Sequence, residues 1–275
     1  MLLDIRTALL AGAGFMSVVT ALLFVYRFTR KTYPGFLPWA ASSALVVTGF
    51  VLFGLRGLAP DVLSVLVGSA ALATAAVSRL LGTRLFLAQP RMSRAWWLAP
   101  AVVVAGVPAL GLGPHAFAAR AVLVSVAVAL PAFATAVAFL RPGPSEERLL
   151  RRTTAGLLLA LVALLGVRIA SASALPRDLL VSTPAQAAVL VAMGLLESAW
   201  NVTFLMLNGA RLESELRHAL EDVRILEKLL PICAWCKKIR DDGGYWQQIE
   251  TFLGEHANTR FTHGICPDCE RKLRG

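Results

Sequence analysis

Residues 184–230 read PAQAAVLVAMGLLESAWNVTFLMLNGARLESELRHALEDVRILEKLL, and their character changes halfway from apolar to strongly charged. The first part, 185–207, matches the roughly 20 apolar residues that a helix needs to cross a bilayer. The second part keeps an apolar seam, spaced alternately four and three apart, made of Leu212, Leu216, Ala219, Val223, Leu226 and Leu230. This spacing is typical of a coiled coil. The stretch therefore predicts one helix that links a membrane region to a soluble tail.

The composition of the whole chain agrees with a membrane region. The chain has 275 residues, of which 57% are hydrophobic and 16% charged, and its mean hydropathy is +0.66. A soluble domain has roughly 25% charged residues. The composition predicts an all-α integral membrane protein.

The net charge of +10 is confined to one part of the chain. Residues 208–275 contain eleven Lys/Arg and eleven Asp/Glu, so sixteen basic and six acidic residues in 1–207 supply the whole excess. Basic residues beside membrane spans set orientation. The charge therefore indicates no nucleic-acid partner.

The hydropathy pattern predicts a seven-transmembrane helix bundle in 1–207. The expected spans are 3–26, 37–55, 62–81, 96–112, 117–140, 154–174 and 185–207. The fourth is the weakest, because it is short and contains Pro100 and Pro108, which a membrane helix tolerates only with a kink or support from neighbours.

Basic residues alternate between the two sides of this bundle. The connections after spans one, three and five hold eleven Lys/Arg, with Arg79 counted among them, and those after spans two, four and six hold three. Because cytoplasmic loops are enriched in basic residues, we expect the N-terminus outside and the C-terminus in the cytoplasm of a bacterial inner membrane.

Away from the span ends, two charged residues and one amide fall inside the expected spans. Arg168 lies in the sixth, and Glu197 lies in the seventh with Asn201 one turn later. An ionisable group within a bilayer is costly and is a candidate functional site. Three interpretations stay open: an Arg168–Glu197 ion pair, a ligand or signalling site, or span ends that differ from those given.

Residues 208–230 are expected to form a short cytoplasmic coiled-coil helix, with a hinge at Asn208 and Gly209. Parallel dimerisation through 212–230 is the functional interpretation, and a solvated helix lying on its own protein is the alternative. His218 falls on an exposed c position of the heptad, off the seam. Since no nucleotide-binding domain follows, it is interpreted as a surface histidine and not as a phosphorylation site.

All four cysteines lie in 231–275 as two CxxC pairs, Cys233/Cys236 and Cys266/Cys269. Two such pairs suit one tetrahedral Zn²⁺, so a small zinc-finger-like α+β module with structural zinc is expected. His263 is a competing ligand, and His256 is interpreted as a surface or supporting residue. Redox or iron–sulfur chemistry is the alternative, although a cytoplasmic tail is kept reduced and neither pair lies in a βαβ unit.

The tail also carries a resemblance. The run LPICAWCKKIRDD at 230–242, then GYW at 244–246 and FTHGICPDC at 261–269, resembles a short module at the C-terminus of many bacterial signalling proteins. In that group it follows PAS or response-regulator receiver domains, usually after a coiled-coil helix. The resemblance implies a signalling context, zinc binding by the four cysteines and no catalytic activity. The membrane region resembles, more loosely, the sensory regions of bacterial membrane receptors.

Together these patterns predict a bacterial membrane sensory protein that relays a signal through the connecting helix to a zinc module, which meets a cytoplasmic signalling partner. A transporter or channel with a regulatory zinc tail is the alternative. A membrane enzyme is disfavoured, because four thiolates leave zinc no open position for substrate.

Overall fold

The computed structural model describes residues 5–112, 114–172, 184–227, 232–240, 243–256 and 262–274. The chain forms two compact units, Met1–Glu213 and Ser214–Gly275. The helices of the first unit are α1 (Ile5–Thr29), α2 (Phe36–Gly54), α3 (Gly68–Phe86), α4 (Leu98–Leu110), α5 (Phe117–Leu140), α6 (Arg148–Ala170) and the greater part of α7 (Pro184–Glu227). A π-helical segment, Val62–Val67, leads directly into α3, and a 3₁₀ turn, Arg94–Trp97, leads into α4.

Six helical segments of the described residues are long and apolar enough to cross a membrane, one fewer than the seven expected spans. The missing one is the fourth, where the structure has the shorter apolar helix Arg94–Leu110. Pro108 lies inside α4 and Gly111 ends it with a positive φ of 87°. Thirteen α-helical and four 3₁₀ residues give a length of about 28 Å, slightly below the roughly 30 Å of a bilayer core.

Although α4 is short, the directions of α3 and α5 require it to extend from one end of the bundle to the other. Gln89, just after α3, donates a 3.3 Å hydrogen bond from Nε2 to the carbonyl of Ala138, in the last turn of α5. Since α3 and α5 also pack side by side, both helices end at the same end of the bundle. The chain between them must return to the opposite end, and α4 is the segment that does so.

The single helix predicted for 184–230 is present over its described residues. Helix α7 is continuous from Pro184 to Glu227, so no break occurs at Asn208 or Gly209 where a hinge was expected. Residues 228–230, the last of the predicted seam, lie outside the described residues. Its 44 residues correspond to about 66 Å at 1.5 Å per residue.

An aromatic cluster forms the core at the end of the bundle where α3 and α5 finish. The rings of Trp39 and Phe204 stack at 4.0 Å with an interplanar angle of 9°. Phe86 meets Phe204 edge-on at 5.2 Å, and Phe139 meets Trp39 edge-on at 6.1 Å. Because these rings come from α2, α3, α5 and α7, the cluster fixes four helices against one another.

The start of α2 and the end of α3 approach each other closely at two glycines, Gly35 and Gly82. A Cβ on Gly82 would lie 2.7 Å from the carbonyl oxygen of Gly35 and 3.0 Å from the backbone nitrogen of Trp39. Gly35 itself has φ of +93°, a conformation that favours glycine. Small residues at such a crossing let backbones come together and keep Trp39 in the core.

The second unit contains a small two-stranded sheet and two short helices among its described residues. Strands β1 (Ile239–Arg240) and β2 (Trp246–Gln247) pair antiparallel, and helices α8 (Ile249–His256) and α9 (Pro267–Arg274) follow. Both α and β elements are thus present in the tail, as expected for the small C-terminal module.

Substitution of Gly82 by Ala is expected to destabilise the first unit by about 1–3 kcal/mol, because the added methyl meets backbone atoms that cannot move aside. Gly156, on an exposed face of α6 with open space around it, is the matched control. Thermal unfolding of the purified chain in detergent should show a lower Tm for G82A and an unchanged or higher Tm for G156A. Equal Tm values for the two variants would contradict the close approach.

Candidate functional site

A buried ion pair joins α3 to α7. Arg79 Nη2 lies 2.6 Å from Glu197 Oε1, and both residues are only 4% exposed. A charge removed from water is strongly destabilising unless it is paired and hydrogen-bonded. Each of these residues therefore depends on the other, and the two helices are held at one relative position.

Asn201, one turn beyond Glu197, extends this pair into a hydrogen-bonded network. Its Nδ2 donates to Glu197 Oε1 at 3.0 Å and to Ser43 Oγ at 2.8 Å, and its Oδ1 accepts from Trp39 Nε1 at 2.8 Å. Thr20 Oγ1 donates to Ser43 Oγ at 3.1 Å. The polar network, as we name it, consists of Thr20, Trp39, Ser43, Arg79, Glu197 and Asn201. It connects α1, α2, α3 and α7.

Two indole rings flank the Arg79 guanidinium. Its central carbon lies 4.6 Å from the ring centroid of Trp200 and 5.6 Å from that of Trp39. The negative face of an indole attracts a cation, most strongly where water is excluded. The rings thus stabilise the guanidinium together with Glu197 and hold its orientation.

The structure brings together two of the three polar residues that the sequence singled out, Glu197 and Asn201. Arg168 borders the same cavity as Glu197 but makes no ion pair with it; the partner of Glu197 among the described residues is Arg79. The sequence interpretation missed Arg79 because it counted this residue with the charges that follow span three. Helix α3 continues to Phe86, and the apolar Leu80, Leu81 and Leu85 after Arg79 are the signal of that continuation.

The polar network borders a cavity of about 140 Å³ within the first unit. Most of its wall is apolar, with Phe50, Phe117 and Leu190 among the lining residues. The charged lining residues among those the structure describes are Arg56, Arg79, Arg120, Arg168 and Glu197. The candidate site is therefore an apolar cavity with a concentration of guanidinium groups.

A second charged contact holds α7 where the aromatic core ends. Arg211 donates from Nε and Nη2 to the two carboxylate oxygens of Glu147 at 2.9 and 3.2 Å, and from Nη1 to the carbonyl of Phe86 at 2.8 Å. Its guanidinium also lies over the rings of Phe86 and Tyr33, at 4.1 and 5.2 Å. We call this set of contacts the exit clasp. It ties α7 to the end of α3 and the start of α6.

The seam beyond the exit clasp exposes large apolar side chains. Leu216 is 59% exposed and Val223 is 50% exposed. The side chains of Leu226 and Leu230 lie outside the described residues. Among the described seam residues, Leu216 and Val223 thus present an exposed apolar face.

The first cysteine pair lies on a tight hairpin. The Cys233 amide donates to the Lys238 carbonyl at 2.8 Å, and the Lys237 amide donates to the Cys233 carbonyl at 3.0 Å. Lys237 has φ of +61°, which lets the chain reverse. The backbone N–H groups of Cys236 and Trp235 point at the Cys233 sulfur and lower the pKa of its thiol. A backbone that favours the thiolate suits a metal ligand.

The second pair lies at the start of α9. Cys266 precedes the helix and its carbonyl accepts from the Glu270 amide at 2.9 Å, while Cys269 lies in the first turn. Hydrogen bonding from the Cys269 amide lowers the pKa of the Cys266 thiol. In each pair, backbone hydrogen bonds thus favour the thiolate form of the first cysteine. All four cysteines are free, and the described residues contain no group of three or more His, Cys, Asp or Glu placed to bind one metal ion.

Comparison of the chain with protein-family models, curated proteins and solved structures gave no match. The class of the molecule therefore follows from its own architecture: a mostly helical chain whose described residues include six helices long and apolar enough to cross a membrane. This architecture is compatible with a multi-pass membrane protein. Its helix bundle contains a polar network and an arginine-lined cavity.

Removing one member of the buried pair is expected to cost about 3–5 kcal/mol of stability, because the other charge is left without its partner. Arg79→Met and Glu197→Leu should each lower the free energy of unfolding, and the double variant should lose clearly less than the sum of the two. Denaturant unfolding of all four proteins in detergent gives this coupling directly.

Arg152→Met is the matched control for Arg79→Met, because Arg152 is exposed on α6. It should leave stability within about 0.5 kcal/mol of the wild type. Simple additivity of the R79M and E197L effects would contradict the assignment of this pair as a unit.

Proposed function

We propose that the protein is a bacterial inner-membrane sensory protein. A change in the arrangement of its helix bundle is transmitted to a cytoplasmic zinc module. The observation that carries the proposal is the continuity of α7. This one helix contains Glu197 and Asn201 of the polar network, Arg211 of the exit clasp and the apolar seam as far as Val223. A change at the network therefore has a covalent and helical path to the tail.

The proposed topology has seven crossings, with α4 as the short fourth one. Because α3 and α5 end at the same end of the bundle, the chain between them must cross the bundle an odd number of times. When Arg79, which is buried in α3, is left out of the count, the connections on one side contain ten Lys/Arg and those on the other side contain three. The positive-inside rule then puts the N-terminus outside and the tail in the cytoplasm.

The polar network can stabilise one arrangement of the helices as a signalling state. Its members come from four helices, and buried polar groups are costly to leave unpaired. Repositioning Glu197 or Asn201 therefore requires a second complete set of partners, and a packed bundle changes between discrete arrangements rather than continuously. The exit clasp then determines how such a shift of α7 reaches residues beyond Glu213.

The output step proposed for the seam is parallel pairing with a second copy. The seam residues follow the d and a positions of a heptad, which pair with the same positions of an identical helix. Exposure of Leu216 and Val223 in the single chain agrees with such a partner. Anchoring to α7 offsets the short length of the seam, since the helix is already formed where it leaves the bundle.

For the tail we propose one structural Zn²⁺ held by Cys233, Cys236, Cys266 and Cys269. Support comes from the free thiols and from the backbone N–H groups that favour the thiolate at Cys233 and Cys266. Zinc supplies a fixed tetrahedral link between two chain segments, and it contributes directly to the folding of so small a unit. A completed thiolate shell leaves no site for substrate, so no enzymatic activity is proposed.

Cys233→Ser is expected to abolish zinc binding and make the tail sensitive to protease, while the first unit stays inserted and folded. His263→Ala is the matched control, because His263 precedes Cys266 by three residues but four thiolates complete the shell. Elemental analysis after gel filtration should find one zinc per chain in the wild type and H263A and none in C233S. Zinc retained by C233S at the wild-type ratio would reject the four-thiolate site.

The relay from bundle to tail is tested by cross-linking in membranes. The lysines other than Lys31 are Lys228, Lys237, Lys238 and Lys272, so an amine-reactive reagent reports chiefly on contacts between tails. The wild type should give cross-linked dimers, and a double substitution of Leu216 and Val223 by Glu should abolish them. His218→Glu, off the seam, is the matched control that should leave them unchanged.

Asn201→Leu should change the yield of these dimers by at least about two-fold, because it removes the central residue of the polar network. Each hydrogen bond that Asn201 loses is worth roughly 1 kcal/mol or less in a membrane bundle. Wild-type yield in N201L, in a protein that still melts cooperatively, would contradict the relay while leaving the seam intact.

A further inference from the structure

The spacing of the seam continues backwards along α7 into the part of the helix that lies in the bundle. When the alternation of three and four residues is extended from Leu212 towards the N-terminus, it reaches Ala188. The a positions of this heptad are Ala188, Leu195, Val202, Gly209, Leu216 and Val223, and its d positions are Val191, Ser198, Leu205, Leu212 and Ala219. Because α7 is one continuous helix over all of them, a single heptad pattern describes 188–223.

The a positions form an exposed face in both halves of the helix. In the bundle, Leu195 is 59% and Val202 is 46% exposed, and beyond it Leu216 and Val223 are 59% and 50% exposed. Ala188 is exposed, and Gly209 is half-buried with open space where a Cβ would lie. We call these six residues the outer face of α7. Its apolar side chains are available to a partner over the whole length of the pattern.

The d positions border the outer face and are less uniform. Val191 is 43% exposed and Ala219 is exposed, whereas Leu205 and Leu212 are half-buried. Ser198 is buried, with its hydroxyl donating to the carbonyl of Gly194 at 3.0 Å. The exposed face is therefore centred on the a positions.

The contacts of α7 with its own bundle lie on the opposite side of the helix. Glu197, Phe204 and Arg211 recur every seven residues, each two residues after an a position. Two residues correspond to a rotation of about 200° around an α-helix. Glu197 and Phe204 are buried, and Arg211 is held in the exit clasp. The side that holds α7 in the bundle thus leaves the outer face pointing away from it.

The cytoplasmic seam by itself is a weak dimer interface. It spans fewer than three heptads, whereas a sustained coiled coil has at least about three to four. In a parallel pair, Asp222 at a g position faces Glu227 at the next e position of the second copy, and both are acidic. The pattern from Ala188 to Val223 covers five heptads, or about 53 Å at 1.5 Å per residue. The bundle half of α7 therefore supplies the length that the seam lacks.

We propose that two copies of this chain pair in parallel along the outer face of α7, from Ala188 within the membrane to Val223 in the cytoplasm. This inference rests on the proposed function, whose seam dimer it extends into the bilayer. Association of helices in lipid depends on close packing of side chains and on small residues that let backbones approach. Gly209, with its open surroundings at the membrane exit, allows that approach.

The paired arrangement places α7 between two sets of contacts. The polar network and the exit clasp meet one side of the helix, and the second copy meets the other. Rotation of α7 that follows a change at Glu197 or Asn201 therefore alters the packing against the partner along the whole helix, before the tail is reached.

The register of the outer face favours a second copy over lipid as its cover. Lipid accounts for exposed apolar side chains at Leu195 and Val202, but it has no reason to keep them in the heptad of a cytoplasmic seam. A second copy accounts for both halves with one interface, because identical helices in parallel meet at the same positions.

The test is photo-cross-linking of the full chain in membranes. The photoreactive amino acid p-benzoylphenylalanine is placed singly at Leu195, Val202 or Leu216, and cross-linked dimers are measured by gel electrophoresis. Leu130 and Phe133 of α5 are the matched controls, because they are 59% and 50% exposed and also lie in an apolar membrane helix. Dimers should form from all three α7 positions and stay at background for both controls.

The outcomes separate this inference from the function on which it rests. Dimers from Leu216 but not from Leu195 or Val202 would confine the interface to the seam and overturn the inference alone. Background yield at all three α7 positions would overturn the inference and the proposed seam dimer together. Equal yields from α7 and from the α5 controls would show random collisions and also reject the interface.

A bulky side chain on the outer face provides a second measurement. Val202→Trp should lower the yield of amine cross-links between tails by about five-fold or more, because the added volume overpacks the interface. Phe133→Trp should leave that yield unchanged. Leu195→Trp, matched by Leu130→Trp, repeats the comparison at a second height, and all four variants should melt as the wild type does, since these positions are exposed. Wild-type yield in both V202W and L195W would contradict pairing within the membrane.

Discussion

The architecture of the first unit depends on the buried contact between Arg79 and Glu197. A guanidinium and a carboxylate inside a helix bundle each carry a large desolvation penalty, which their mutual attraction offsets only at short distance and with further hydrogen bonds. Here the distance is 2.6 Å, and Asn201 supplies the additional hydrogen bond to the carboxylate. Helix α7 therefore has one preferred height and rotation relative to α3. Other features of the bundle, including the aromatic core and the cavity, are arranged around that constraint.

Two sets of contacts act on α7 at different heights. The polar network holds it through Glu197 and Asn201, and the exit clasp holds it again through Arg211, ten residues beyond Asn201. Between them, Phe204 stacks on Trp39 in the aromatic core. A helix held at both positions can shift only if both sets of contacts adjust together. This arrangement is the physical basis of the proposed relay, since it converts a local change of hydrogen bonding into a movement of the whole segment.

Much of the fold followed from the sequence because its signals are local. Apolar length predicts a spanning helix wherever backbone groups must be satisfied within the segment, and the apolar half of α7 was expected for that reason. The hinge expected at Asn208 and Gly209 is absent, because the helix continues through both residues. The fourth span was the least certain on its length and prolines, and α4 is indeed the shortest helix of the described bundle. The sequence interpretation assigned Arg79 to a connection. A basic residue near the end of an apolar run has the same sequence context whether its side chain faces lipid headgroups or another helix. Only packing against Glu197 distinguishes the two.

By itself, the sequence determined the apolar helices, their alternating basic connections, the charged extension of α7 and the two cysteine pairs, because each of these is a property of neighbouring residues along the chain. The tertiary structure alone decided which charges meet: Arg79 rather than Arg168 with Glu197, Arg211 with Glu147, and four arginines around one cavity. The physical reason is that an ion pair depends on the rotation and height of helices more than a hundred residues apart, as for Arg79 and Glu197. Those quantities arise only when the helices pack.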